Sequence, residues 1–170
     1  MYRVLVASKS CGSHVDPDKR LTMFHQRKLD PVFVRLAKAE KYFPEVDAVI
    51  IGMESIGADI MDKMPRVRVI IKNGVGLENI DQEAAKKRGI SVLNLPGINA
   101  DSVSEMALGL MLTVSRQITW GDRAVRSGDW PRLQGLSVSG KTLGIVGTGA
   151  IGCSLAGKVA GMRMTLLGYD

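Results

Sequence analysis

Residues 135–152, GLSVSGKTLGIVGTGAIG, contain two patterns whose residue types could bind phosphate. Residues 135–142 fit GxxxxGK[ST], in which backbone amides, a lysine and a hydroxyl cradle a nucleotide's phosphates. Residues 147–152 fit GxGxxG, the dinucleotide fingerprint. Both need a strand before the glycines and a helix after them, because the helix N-terminus supplies free amides and a favourable dipole. In the first pattern the order is reversed. Residues 129–134 (DWPRLQ) contain Pro131 and mixed polarity, which argue against a central strand, and residues 143–146 (LGIV) after it read as a strand. Gly140, Lys141 and Thr142 therefore read as a turn leading into that strand.

The second pattern has the required order. Residues 143–146 are the strand and residues 151–160 the helix. Gly147 turns the chain sharply, Gly149 lets a pyrophosphate approach the backbone, and Gly152 lets the helix pack close to the strand. A further apolar strand, residues 163–169, ends at Asp170. This acid follows Gly152 at close to the ~20 residues expected of the carboxylate that binds the adenosine ribose hydroxyls. A carboxylate there repels a 2′-phosphate, so NAD is expected rather than NADP. The fingerprint predicts a cofactor site at Gly147, Gly149, Gly152 and Asp170.

A second glycine loop, residues 72–76 (KNGVG), also follows a strand and precedes a helix. Its glycines permit unusual backbone angles, and successive amides in such a turn can converge on an anion. Physics alone leaves two readings, a carboxylate-binding loop and a plain tight turn.

The elements that must position these loops alternate between apolar runs and helical stretches. Residues 3–7, 31–34, 47–52, 67–71 and 91–94 read as strands. Residues 18–29, 35–42, 58–64 and 80–88 read as helical, with Gly89 as a C-cap. That alternation indicates an α/β fold with a parallel sheet. Pro96, Gly97 and Asn99 mark a boundary. The longest helix follows, and Val103, Met106, Ala107, Leu110, Met111, Val114 and Ile118 recur at steps of three and four as its core-facing stripe. Residues 120–130 read as polar and helical or turn-like.

The 170 residues suffice for one domain or two small lobes. Aromatic content of 5% excludes a stacking platform for single-stranded nucleic acid. The +6 net charge is scattered, and no recognition motif accompanies it, so no nucleic-acid partner is expected. No apolar run approaches the ~20 residues of a membrane span, and the opening residues do not resemble a signal peptide. A soluble, cytoplasmic protein is expected, with Cys11 and Cys153 as buried thiols and no metal site.

Residues 73–81 (NGVGLENID), Ala84 and Ala85, residues 88–90 (RGI), 94–97 (NLPG), 102–105 (SVSE) and Arg116 resemble, in order and spacing, the D-isomer-specific 2-hydroxyacid dehydrogenases. Residues 140–152 and 168–170 (GYD) complete the likeness, which covers most of the chain from Asp47 onward. The opening, residues 4–8 with Gly12, Asp16 and Pro17, is most similar to the phosphoglycerate dehydrogenase-like branch.

The resemblance implies a flavodoxin-like substrate lobe, residues 1–98, joined to an incomplete Rossmann lobe with a doubly wound parallel sheet, residues 99–170. The substrate lobe would lack the closing segment that returns from the C-terminus in relatives. The resemblance further implies that Asn73, Gly74, Val75 and Gly76 bind the carboxylate of a small 2-hydroxy or 2-keto acid. Val75 and Val103 would approach the cofactor, and the amides of Ala150 and Ile151 would meet its pyrophosphate. Most relatives carry an arginine where Ala150 stands, so a side-chain contribution is missing there. Full-length relatives are expected to form homodimers through the NAD lobe.

Hydride transfer between C2 of the acid and NAD needs a base and a cation. In the family these are a histidine, a carboxylate that orients it, and an arginine, all beyond the second strand of the NAD lobe. No catalytic residue is therefore expected within this chain. His14 and His25 read as surface residues, and Arg116 is not the family's catalytic arginine. The chain alone is expected to lack activity and to bind NAD weakly. A noncatalytic, co-repressor-like NAD-sensing module of the same fold is the alternative. Glu54, in the loop after Gly52, would repel a phosphorylated substrate if it pointed inward.

Overall fold

A computed structural model describes residues 1–170. The first 96 residues carry five strands, β1 (Tyr2–Val6), β2 (Leu29–Phe33), β3 (Ala48–Ile51), β4 (Val69–Lys72) and β5 (Ser91–Leu93). All pair in parallel, in the order β2-β1-β3-β4-β5, the flavodoxin-like order. Leu5 pairs with Val49 and Val49 with Ile70, and this row is inaccessible to solvent. Alternate residues of β3 and β4 are buried and half-buried. Strands inside a parallel sheet read as near-continuous apolar runs, which is why AVII and VII are legible as strands, while Lys72, read as part of the turn, closes β4.

The helices depart from expectation mainly at their ends. α1 (Pro17–His25) begins as its sequence directs, with Pro17 in the first turn and the Asp16 carboxylate accepting from the amides of Asp18 and Lys19. It stops short of the expected residue 29, because Lys28 turns to φ 58 and Leu29 opens β2. Residues 35–42, expected as a short helix, are instead part of two 3-10 turns, Leu36–Lys38 and Glu40–Glu45, the second containing Pro44. Such short turns present few backbone bonds for a proline to remove. α2 (Ala58–Met61) is shorter than expected, and single turns carry the chain on to Met64. α3 (Gln82–Lys87) starts where Asp81 accepts from the Ala84 amide and ends at Gly89, φ 68. The core packs Leu5, Val49, Ile51, Ile70, Met61 and Ala85 between sheet and helices.

The chain divides into two units, Met1–Pro96 and Gly97–Asp170. The second holds α4 (Ala100–Ser115), α5 (Ile118–Arg126), β6 (Thr142–Val146), α6 (Ala150–Val159) and β7 (Thr165–Tyr169). β6 and β7 pair in parallel around α6, one β-α-β crossover.

The expected core stripe of α4 is corrected by one residue. Ser104 is fully buried and Ala107, Leu108, Met111 and Leu112 are half-buried, while Met106, Leu110 and Val114 face solvent. The helix is apolar on most sides, so its spacing fits more than one face. Ile118 belongs to α5, because Gln117 adopts a left-handed conformation that breaks the helix. The thiols are also corrected: Cys11 is half-buried and Cys153 exposed.

Candidate functional site

Ligands of open α/β sheets bind at the carboxyl ends of the strands. In the first unit those ends bring together Ser8, Gly52 and Asn73. The Asn73 side-chain amide donates to Ser8 Oγ and Ser10 Oγ, both at 3.1 Å, and so ties the loops after β1 and β4 together. The next residues turn with Gly74 at φ 157, a conformation that favours glycine. Two carbonyls of this turn are drawn back into the protein. Gly74 O accepts from the Leu95 amide at 2.9 Å, and Val75 O accepts from Asn94 Nδ2 at 2.6 Å. The amides of Gly74, Val75 and Gly76 have no acceptor in the protein. With its carbonyls occupied and three successive amides free, the loop suits an anion. Glu78 folds over Gly76, where a Cβ would collide with its carboxylate.

Lys72, at the end of β4, is a residue that sequence reading missed. It is only 5% exposed. Its Nζ donates to Gly52 O at 2.6 Å and to Asn79 Oδ1 at 2.7 Å, both neutral acceptors. Its Cε stands 3.4 Å from where a Cβ on Gly74 would lie. A buried charge is costly unless something opposes it, and no acidic side chain pairs with this one. It adds positive charge behind the turn whose amides are free. Asn79 Nδ2 also donates to Gly52 O and to Glu54 O, and the Glu54 carboxylate accepts from the Gly52 amide at 2.7 Å.

The second unit builds the glycine fingerprint as a strand, a turn and a helix. β6 leads into Gly147, at φ 95, whose amide donates to Tyr169 O at 2.7 Å. Gly149 precedes α6 and has open space where a Cβ would be, so a ligand can reach the backbone. Ala150 and Ile151 form the exposed first turn of α6. Gly152 is buried, and a Cβ there would overlap the Gly147 carbonyl. Asp170, at the end of β7, accepts from Thr148 Oγ1 at 2.9 Å. Val103 lies partly exposed in the first turn of α4.

α4 and α6 are joined by a polar cluster. Asp101 Oδ1 accepts from Lys158 Nζ at 3.0 Å and from Ser154 Oγ at 2.8 Å, and the Ser104 and Ser154 hydroxyls stand 2.9 Å apart. The Lys158 hydrogen bond, followed by that from Ser154, holds the Asp101 carboxyl below its ordinary range.

The other sequence candidates lie apart from these loops. Gly140, at φ 74, and Lys141 form a turn into β6, with no helix to present amides to a phosphate. His14, His25 and Arg116 are exposed. No cluster of three metal-ligating side chains is present, and no helix is long and apolar enough to cross a membrane.

Residues 12–165 match the family described as D-isomer specific 2-hydroxyacid dehydrogenase, catalytic domain. The chain is similar to hydroxypyruvate reductase of Thermotoga maritima, 37% identical over 174 residues covering 99% of this chain and 55% of the relative. It is also similar to D-3-phosphoglycerate dehydrogenase of Archaeoglobus fulgidus, 36% identical over 130 residues, 75% of this chain and 25% of the relative. Among solved structures, NAD-dependent formate dehydrogenase from Staphylococcus aureus in complex with NAD superimposes with a TM-score of 0.81 at 26% identity, covering 100% of this chain and 56% of that one. The chain thus spans between a quarter and about half the length of these relatives.

Proposed function

The chain belongs to the D-isomer specific 2-hydroxyacid dehydrogenase family, and we propose that it contributes the substrate loop and the NAD fingerprint of an oxidoreductase acting on small D-2-hydroxy acids. The observation that carries this reading is the pairing of two anion-ready backbone sites on one chain, the free amides at residues 74–76 and the fingerprint at residues 147–152. The first suits the substrate carboxylate, with Asn73 holding the turn and Lys72 supplying charge behind it. The second suits the pyrophosphate of NAD, on amides at Ala150 and Ile151. Asp170 accepts the ribose hydroxyls, and Val75 and Val103 contact the cofactor.

NAD, when bound, accepts the hydride from C2 of the hydroxy acid or returns it to the keto acid. The residues here bind and orient. Neither histidine lies by the substrate loop in sequence, and both are exposed in or beside α1. The proposal is therefore that the proton-transfer base and its arginine partner are not among residues 1–170, and that these residues alone turn over no 2-hydroxy acid. A cytoplasmic homodimer, formed through the exposed stripe of α4, completes the reading.

Calorimetric titration of the 170-residue chain with NAD tests it. Gly149→Val is expected to abolish binding, because a side chain would stand where the pyrophosphate approaches. Lys141→Ala is expected to leave binding unchanged. The reverse pattern would sink the assignment.

A further inference from the structure

Thr148 fills the second position of the fingerprint, a place where the pattern accepts any residue. Here it is held on three sides. Its hydroxyl donates to Asp170 Oδ2 at 2.9 Å. Its methyl packs over Gly168, where a Cβ would stand 2.9 Å from Thr148 Cγ2. Its carbonyl accepts from the Cys153 thiol at 2.9 Å. The adjoining Gly147 amide donates to Tyr169 O. The glycine turn and the end of β7 are thus fastened twice, once by backbone and once by the Thr148 side chain. Asp170 is exposed, and the Thr148 hydroxyl is the partner that its carboxylate has among residues 1–170.

We propose that Thr148 is a positioning residue that sets cofactor choice by holding the Asp170 carboxylate beside the fingerprint. One oxygen takes the threonine proton, and the other stays open to the adenosine ribose hydroxyls. A hydroxyl donating to a carboxylate makes a strong, charge-assisted bond, and a carboxylate fixed before binding loses less rotational freedom when the ribose arrives. The same fixed charge meets the 2′-phosphate of NADP and repels it. The proposal rests on the NAD reading above and assigns a further residue to that site.

The test compares NAD and NADP titrations of the 170-residue chain with those of Thr148→Val, Thr148→Ser and Asp170→Ala. Valine keeps the methyl contact over Gly168 and removes only the hydroxyl. Thr148→Val is expected to weaken NAD about fivefold to tenfold and to change NADP little, which narrows the preference. Thr148→Ser is expected to restore most of the loss. If Thr148→Val binds both cofactors as the parent does, or if serine fails to rescue it while Asp170→Ala weakens NAD, the role assigned to the hydroxyl is wrong. If Asp170→Ala also binds NAD unchanged, or the parent shows no saturable NAD binding, the cofactor reading fails and this proposal falls with it.

Discussion

Lys72 adds charge to a turn that otherwise offers only amide dipoles. Its ammonium is fully committed to neither acceptor, since Gly52 O and Asn79 Oδ1 leave one of its three protons free. Replacing it should act on anion binding and, because Asn79 Oδ1 loses its donor, on folding as well. Lys72→Met is expected to raise the concentration of a 2-hydroxy acid needed to saturate the turn about tenfold, read from NMR shifts of the Gly74 and Gly76 amides. Unchanged saturation would mean that the charge does not reach the ligand. Residues differ in how openly the sequence declares them. Gly152 is legible because only glycine tolerates the Gly147 carbonyl at that distance, and the spacing of the motif encodes that constraint. Lys72 is not legible, because a lysine closing an apolar run looks like the solvated end of a strand. Its burial follows from loops far away in sequence, after β3 and around Asn79.

At the scale of elements, α4 and α6 meet through small and polar groups, so their docking carries a pH dependence. Asp101 binds its proton less readily when folded, chiefly because of Lys158 and then Ser154. Its contribution is therefore fully present above the unfolded carboxylate pKa, about 4, and is lost as pH falls through the lower folded value. Protection of the Ser104 amide from hydrogen exchange is expected to decline below about pH 4, and Asp101→Asn is expected to remove that acid-side decline. The effect should be small, since the pair is solvent-screened. An Asp101→Asn protein with the parent's acid profile would count against this account. The strands of the first unit are legible because one buried and one half-buried face leave little room for polar residues and write themselves as AVII and VII. The face of α4 is not, because Val103, Met106 and Leu110 are as apolar as the residues that pack. The residue that decides is Ser104, a polar side chain that reads as outward but is buried beside Ser154. The 3-10 turns around Pro44 are not legible for a similar reason, since their composition suits an α-helix and only their hydrogen bonding does not.

For the molecule as a whole, the two units differ sharply in how much they bury. Every member of the buried apolar cluster, from Leu5 to Ile90, lies in Met1–Pro96. Gly97–Asp170 buries Val159 alone among its apolar side chains, and Val146 at the end of β6 is 87% exposed. A two-stranded sheet is marginal by itself. Amides of β1, β3 and β4 are therefore expected to exchange far more slowly than those of β6 and β7, and equal protection in native-state exchange would contradict this distribution. The solvent-facing stripe of α4, with Met106 at 64% and Val114 at 77% exposed, is the surface that the proposed dimer would use. Leu110→Glu is expected to shift sedimentation of the chain from dimer to monomer, and a parent that sediments as a monomer at high concentration would rule that dimer out. The sheet order has a kinetic side as well. All five strands of the first sheet are encoded before residue 97. Domains fold as units during synthesis, the N-terminal one first. The ribosome thus releases a sheet with its five strands already paired before it has translated the glycine turn, and β6 and β7 emerge after a sheet whose remaining open edges are β2 and β5.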